Sequence, residues 1–576
     1  MTAKRSALAI TCLLACGGGA SDVRVPTASA RPPIETASVD VPLAAPPRLR
    51  DRYAIASENG QAVEAARTVL DGGGSVVDAA IAGVLVGCAA HASSCGLGGG
   101  GAAMLFDAKT GRTSMFDFRE TAPLGLKRPD HVGKPADSKR GVLVGVPGLV
   151  RGLAAVHARG GVLSWKDLWE GAARKLDAGL ERTPYSQQAV AWSEAWLAKE
   201  PSASAFGYPA EREDAFTNAP LAATYRSIAE QGAAGFYTGA VAEDVVSSAK
   251  AYGSRLTTGD LKSYAAVERA PLTLDYDGVT VLTAPPPSGA GCIVLALLAL
   301  LPKAELEKLA EKRGAFVHVL AEGLRSSYGD RAFLVGDPAF TKGDVRTVFD
   351  AKRTAERRAA IKLDKTTMPK LPGISDSGTF QMVVVDAEGN AIVISASLTS
   401  LFGSTLTTKH GFVLNDALSD FSMDDYGHRA FTRGPNFPRG NARPASNLAP
   451  TLALRDGKVV LAIGSSGGLR GVSGLTQVLL EHFGRGTALA EAVNAPRVHV
   501  PVGGALHLEP ALAELGDDLT NRGEVFEVKP ANFSGVTGVA VGAGREGPTL
   551  SPAFDARKGG AATVARTPVT EQTSRP

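Results

Sequence analysis

The stretch Ser377-Gly378-Thr379-Phe380-Gln381-Met382-Val383-Val384-Val385-Asp386-Ala387-Glu388-Gly389-Asn390-Ala391-Ile392-Val393-Ile394-Ser395 decides how the rest of the chain is read. A Gly-Thr step opens an apolar β-branched run, Asp386 to Asn390 supply turn residues, and Ala391 to Ser395 return as a second run. Two such runs joined by Asp-x-x-Gly-Asn signal a β-hairpin. Threonine is a good strand former, so Thr379 at the head of a buried strand needs no chemistry to explain it. Just past the return run, Ser397-Leu398-Thr399-Ser400-Leu401-Phe402-Gly403 adds three hydroxyl residues.

Outward from the hairpin, the two sides of the chain differ. Before it, helical periodicity dominates over Gln61–Leu70, Val76–Val86, Gly145–Arg159, Trp165–Asp177, Pro220–Gln231, Val241–Ala251, Gly289–Leu301 and Ala315–Leu334, with one strand pair at Leu272–Tyr276 and Val279–Thr283. After it, strand-like runs take over at Thr451–Arg455, Val459–Ile463 and Val536–Val541. Helix-rich then strand-rich predicts a layered α+β body whose sheets are covered by helices. The run Val76–Val86 is apolar on nearly all sides and is expected to be buried.

The chain has 576 residues, 44% hydrophobic and 21% charged, as expected of a globular protein with a large core. A net charge of +3 gives no electrostatic reason to expect nucleic acid. At the N-terminus, Lys4 and Arg5 precede the short apolar run Ala7–Cys16, an export signal whose centre is too short to span a bilayer. Leu13-Leu14-Ala15-Cys16-Gly17 resembles a bacterial lipobox, making Cys16 the lipidation site and the membrane a partner through a lipid anchor only. A soluble periplasmic form is the alternative. Residues 17–50, rich in Ala, Pro, Ser and Arg, form a flexible tether. Of the remaining cysteines, Cys88 and Cys95 can pair or stay as free thiols, and Cys292 lies in an apolar run. No cysteine or histidine spacing suggests a metal site.

Three motifs invite function. The glycine run Gly96–Gly101 lacks a following Gly-Lys-Ser/Thr and leads into a strand, so close backbone packing explains it better than phosphate binding. Arg119, beside Asp117 and Glu120, is ordinarily a surface ion pair. Gly464-Ser465-Ser466-Gly467-Gly468 follows a strand and precedes a helix, the context of a serine nucleophile elbow, which would make the chain an α/β-hydrolase using Ser466. Against that stand the missing β-α alternation and the short chain left after Ser466 for an acid and a histidine.

The full set of landmarks resembles, in order, that of the γ-glutamyltranspeptidases. These landmarks are Gly96–Gly101, Asp117–Pro123, Pro285-Pro286-Pro287-Ser288-Gly289, Gly378-Thr379, Gly389-Asn390-Ala391, Phe402-Gly403, Asp420-Phe421-Ser422, Arg443-Pro444-Ala445-Ser446, Ala449-Pro450-Thr451 and Gly464–Gly468. The resemblance runs from about Tyr53 to Gly560. It implies an N-terminal nucleophile hydrolase fold, a four-layer αββα sandwich, and a precursor that cuts itself between Gly378 and Thr379. The pieces would be a large subunit, 51–378, and a small subunit, 379–576, after a signal of residues 1–16 and the tether.

The same resemblance assigns roles. Thr379 is the nucleophile for self-cleavage and again for turnover, when its freed α-amine acts as base. A glycine at 378 suits a strained scissile bond. Gly467 and Gly468 match the oxyanion-hole donors, leaving Ser466 a bystander, and Ser397 supports the nucleophile. Arg119 and Ser446 match the residues that hold a substrate α-carboxylate, and Asp420 matches the acid for the α-ammonium. The chain departs from the family at Phe380, Gln381, Thr399, Ala417 and Asn447; Thr399 and Asn447 stand at substrate-binding positions. The implied partners are a γ-glutamyl donor, an amino acid or water as acceptor, and the chain's own second fragment, with no cofactor. A β-lactam side-chain acylase and a non-catalytic binding lipoprotein of the same fold are the alternatives. Met423–Asn441 is expected to form a lid or a plain surface loop.

Overall fold

The computed structural model describes residues 49–126, 137–367, 378–422, 434–530 and 534–569. The export signal with Cys16, nearly all of the tether and most of the Met423–Asn441 segment lie outside the described residues.

The hairpin at the centre of the sequence is also at the centre of the molecule. Its strands, Gly378–Asp386 and Ala391–Thr399, pair antiparallel. The turn is closed by Asn390 N–H donating to Asp386 Oδ1 at 2.8 Å, and Gly389 supplies a φ of 93°. They stand in a seven-stranded antiparallel sheet ordered Ala561–Pro568, Leu49–Ser57, Gly378–Asp386, Ala391–Thr399, Gly100–Asp107, Arg112–Phe118 and Val267–Arg269. A six-stranded antiparallel sheet is ordered Gly547–Ala553, Gly535–Gly544, Lys458–Ser466, Thr451–Arg455, Val279–Thr283 and Leu272–Tyr276.

Strand alternation sorts the core into three slabs. Val383, Val385, Ala391 and Val393 point towards Leu452, Ala462 and Val539 of the other sheet. Phe380, Met382, Val384, Ile392 and Ile394 point the opposite way, onto helices Val76–Ala90, Leu149–Gly160 and Trp165–Ala178. The far face of the six-stranded sheet packs on Ala290–Leu300, Arg313–Leu334 and Gly468–Leu479. This is the four-layer αββα arrangement. Every residue of Val76–Ala90 is buried, as its unbroken apolar pattern requires. Ser75 and Asp78 close its N-terminus in a capping box.

Both sheets mix segments from before and after residue 378. The hairpin is flanked by Leu49–Ser57 and Gly100–Asp107, and the six-stranded sheet takes Val279–Thr283 and Leu272–Tyr276 from the first part of the chain. The glycine run is explained by proximity: a Cβ on Gly99 would stand 2.3 Å from the carbonyl oxygen of Ser397.

Two boundaries need correction. Leu49 and Arg50 belong to the first strand and not to a tether, because they pair with Pro568 and Thr567. For the same reason the folded body continues past Gly560 to the strand Ala561–Pro568. Cys88 and Cys95 are joined as a disulfide, and Cys292 is a buried free thiol.

Candidate active site around Thr379

Thr379 lies buried at a bulge in the hairpin. Gly378 pairs with Thr399 and Phe380 with Ala396, so the single residue Thr379 faces both Ser397 and Leu398. The bulge turns Ser397 onto the bond in question: its Oγ donates to the Gly378 carbonyl at 2.6 Å and accepts the Thr399 N–H at 2.9 Å. A Cβ on Gly378 would meet the end of the Leu401 side chain at 3.3 Å and Ser94 at ordinary contact distance, so space alone does not demand the glycine. Left-handed backbone occurs just after the bulge, at Thr399 (φ 83°) and Phe402 (φ 55°). For a β-branched residue this costs of the order of 1–3 kcal/mol and is held only by its surroundings.

Behind Thr379 is a buried polar cluster that no sequence motif announces. Lys558 donates to the Thr379 carbonyl, to Glu58 Oε2 at 2.8 Å and to Ser466 Oγ at 3.0 Å. Ser466 Oγ in turn donates to Glu58 Oε1. Burial pushes the Glu58 carboxyl up, with Lys558 pulling it back. Burial likewise opposes the charge on Lys558, but Glu58 and Tyr185 together offset it and its pKa is raised. Three acceptors match three ammonium protons, so the lysine is charged. The Ser466 hydroxyl is buried and committed to Glu58 and Lys558, which removes it as a nucleophile. It is not a bystander either, because it is part of this cluster.

Ser466 ends its strand, and Gly467 (φ 93°) and Gly468 (φ 58°) make the turn into the helix Gly468–Leu479. Both are conformations that favour glycine, and they leave N–H groups at a helix N-terminus, where negative charge is stabilised. Gln381 ties this turn to the hairpin from inside the sandwich. Its Nε2 donates to the Ser465 carbonyl at 2.6 Å and its Oε1 accepts from Ser395 at 2.8 Å. Phe380 fills the space over Gly87 and meets His91 edge-on.

The ionic side of the site centres on Arg119, which is 2% exposed and so is no surface ion pair. Its backbone is held by Asp117 and by Tyr264 Oη, which donates to the Arg119 carbonyl at 2.8 Å. Its guanidinium donates to Thr399 Oγ1 at 2.8 Å, Glu120 Oε2 at 3.0 Å and Asp420 Oδ2 at 2.7 Å. Burial pushes Glu120 up to about 7, with Arg119 opposing, and Asp416 up to about 6. The residues assigned to opposite ends of a zwitterion, Arg119 and Asp420, thus hold each other, and Thr399 ties them to the bulge.

Ser446 is placed by its backbone, which accepts from Gly289 N–H at 2.9 Å and donates to Pro287 at 3.0 Å. No side-chain hydrogen bond joins it to Arg119 among the described residues. Asn447 Oδ1 beside it is buried without a hydrogen-bond partner, and Ala417 is fully buried. Sequence reasoning also missed Arg331, buried across Gly289, whose Nε has no partner and whose charge is felt by Asp420.

Comparison with known proteins identifies the family. The chain is 31% identical over 477 residues to a glutathione hydrolase proenzyme of Pseudomonas sp. (strain A14), covering 77% of this chain and 82% of that protein. It is 28% identical over 560 residues to a glutathione hydrolase proenzyme of Bacillus subtilis (strain 168), covering 90% and 94%. The fold superposes on the crystal structure of a cephalosporin acylase from Bacillus halodurans with a TM-score of 0.78 at 21% identity, over 92% of this chain and 98% of that one. Residues 62–565 match the sequence model of the family described as gamma-glutamyltranspeptidase, and the chain therefore belongs to the γ-glutamyltranspeptidase family.

Proposed function

We propose that the chain is a self-cleaving γ-glutamyl hydrolase and transferase in which Thr379 is the nucleophile. The observation that carries this is the Ser397 hydroxyl donating to the carbonyl of Gly378 at a bulge that isolates Thr379. Such a bond polarises the carbonyl for attack by the adjacent threonine hydroxyl. The amide becomes an ester, water hydrolyses it, and Gly378 leaves as a carboxylate while Thr379 gains a free α-amine. That amine then takes the proton of the Thr379 hydroxyl as it attacks a donor's γ-carbonyl. Gly467 and Gly468 N–H groups stabilise the tetrahedral oxygen, an effect of a few kcal/mol in such sites. Water or an amino acid amine resolves the acyl-enzyme. Because both sheets draw strands from both pieces, the cut chains stay together as a heterodimer of a large chain ending at Gly378 and a small chain beginning at Thr379.

For the donor, Arg119 exchanges Asp420 for a substrate α-carboxylate, assisted by Ser446, and Asp420 then takes the α-ammonium. Ala417 offers that ammonium no side-chain acceptor, which favours a second reading within the same chemistry: an acylase that accepts other amide side chains, as of β-lactams. The protein is proposed to be exported and anchored through Cys16. Expression of the exported protein, a denaturing gel and assay with γ-glutamyl-p-nitroanilide test the whole. Two bands with activity are expected; two bands without activity select the acylase reading, and one uncut chain leaves a binding protein. Cys16→Ser is expected to release the protein from the membrane fraction.

A further inference from the structure

Lys558 has no part in the chemistry above, yet its ammonium touches the nucleophile residue. It is 1% exposed and spends all three protons on Glu58, the Ser466 hydroxyl and the Thr379 carbonyl. One contact lies on the nucleophile and another on the residue that precedes the oxyanion glycines. A shift of Lys558 would therefore move the two halves of the reaction centre relative to each other. Its charge sits over the ring of Tyr185, 4.6 Å from the centroid, and Tyr185 Oη and Ser94 Oγ are hydrogen-bonded at 2.6 Å.

We propose that Lys558 is a positioning residue for the reaction at Thr379: it locks the nucleophile to the oxyanion turn and, once the Gly378–Thr379 bond has broken, keeps the new terminal amine in its neutral, proton-accepting form. The proposal rests on Thr379 being the self-cleaving nucleophile. The carbonyl oxygen and the α-nitrogen belong to one residue, so a charge bonded to the first stands about 5 Å from the second. A like charge at that range disfavours protonation of the amine. The other titratable groups around it do not cancel this. Glu58 is bonded to the ammonium at 2.8 Å and to the Gln381 backbone, and burial pushes its own carboxyl up, so it offsets the lysine charge only in part. His91 is buried and neutral, pushed down to about 3. Across the pocket Arg119 is bonded to Asp420 and Glu120, and Asp416 to Ser400 N–H.

The test reads the amine directly and needs no turnover substrate. Cyanate adds only to an unprotonated amine, so the pH dependence of carbamylation at the N-terminus of the small chain, followed by mass spectrometry, gives its pKa. The wild-type value is expected below the about 7.7–8.0 of an ordinary α-amine. Lys558→Met is expected to raise it by about one unit, with kcat at neutral pH falling and KM unchanged, and Lys558→Arg to restore it. Glu58→Gln, which leaves the ammonium without its counter-charge, is expected to lower it. An unchanged or lowered value in Lys558→Met overturns the proposal. Should that variant fail to fold or cleave, Glu58→Gln decides: a value at or above wild type overturns it as well. A wild-type chain that never exposes Thr379 overturns the nucleophile assignment itself, a result distinct from a cleaved chain with an unresponsive amine.

Discussion

The floor behind Thr379 and the donor pocket in front of it are both buried and both charged, yet they are built on opposite plans. In the floor, Lys558, Glu58, Ser466 and Gln381 satisfy one another and the backbone, and nothing is left for a ligand. In the pocket, Arg119 is shared among Glu120, Asp420 and Thr399, Asn447 Oδ1 and Arg331 Nε lack partners, and two carboxyls titrate near neutrality. A satisfied network fixes one geometry, whereas one whose charges hold each other can exchange a partner for substrate. In the proposed reaction, position is thus the business of the floor and selection that of the pocket.

The largest expected effect breaks both regions at once. Thr379→Ala is expected to abolish self-cleavage and turnover, seen as a single band and no p-nitroaniline release. Next comes a change confined to the pocket. Arg119→Lys keeps a cation for the buried carboxylates but loses the fork that reaches three acceptors. Cleavage should proceed, with kcat/KM for a γ-glutamyl donor down about 100-fold, or ~2.7 kcal/mol. If cleavage failed to the same degree, the division between floor and pocket would be wrong.

The same contrast explains what could be read from the sequence. The hairpin, the buried helix Val76–Ala90 and the strand pair Leu272–Tyr276 and Val279–Thr283 were legible because their apolar periodicity is local. The first and last strands were not. Leu49–Ser57 starts with exposed charged residues and Ala561–Pro568 is a half-exposed edge, and each is defined by a partner at the other end of the chain. In the site, Arg119, Asp420 and Ser397 lie within motifs. Glu58 and Lys558 are separated by 500 residues, and each alone resembles an ordinary surface charge. Phe380 and Gln381 stood out as departures, and their purpose appears only when the second sheet brings Ser465 against Gln381.

A smaller effect is expected from the floor itself. Ser466→Ala removes a donor to Glu58 and an acceptor for Lys558 while leaving the ion pair in place. Leaving buried groups unsatisfied costs about 1–3 kcal/mol, readable as a lowered thermal midpoint of the mature protein. Cleavage and donor KM should be retained. A Ser466→Ala variant as dead as Thr379→Ala would restore the serine-elbow alternative.

The smallest effect sharpens the comparison through pH. Glu120 is raised to about 7 by burial, against the pull of Arg119. Below that pH it is neutral, and the Arg119 charge is available to a donor carboxylate; above it, the Glu120 carboxylate competes for the same guanidinium. Donor KM is therefore expected to rise several-fold between about pH 6 and 8. Glu120→Gln, which keeps an acceptor for Arg119 but cannot ionise, should flatten that rise. Stability carries the same sign. A carboxyl whose folded pKa exceeds its unfolded value contributes fully below the unfolded pKa, and that contribution is lost as pH rises through about 7. Denaturant unfolding of wild type and Glu120→Gln at acid and neutral pH should show the difference closing at low pH. If KM stayed level in wild type while Glu120→Gln still weakened binding, Glu120 would belong with the fixed groups of the floor and not with the exchangeable ones of the pocket.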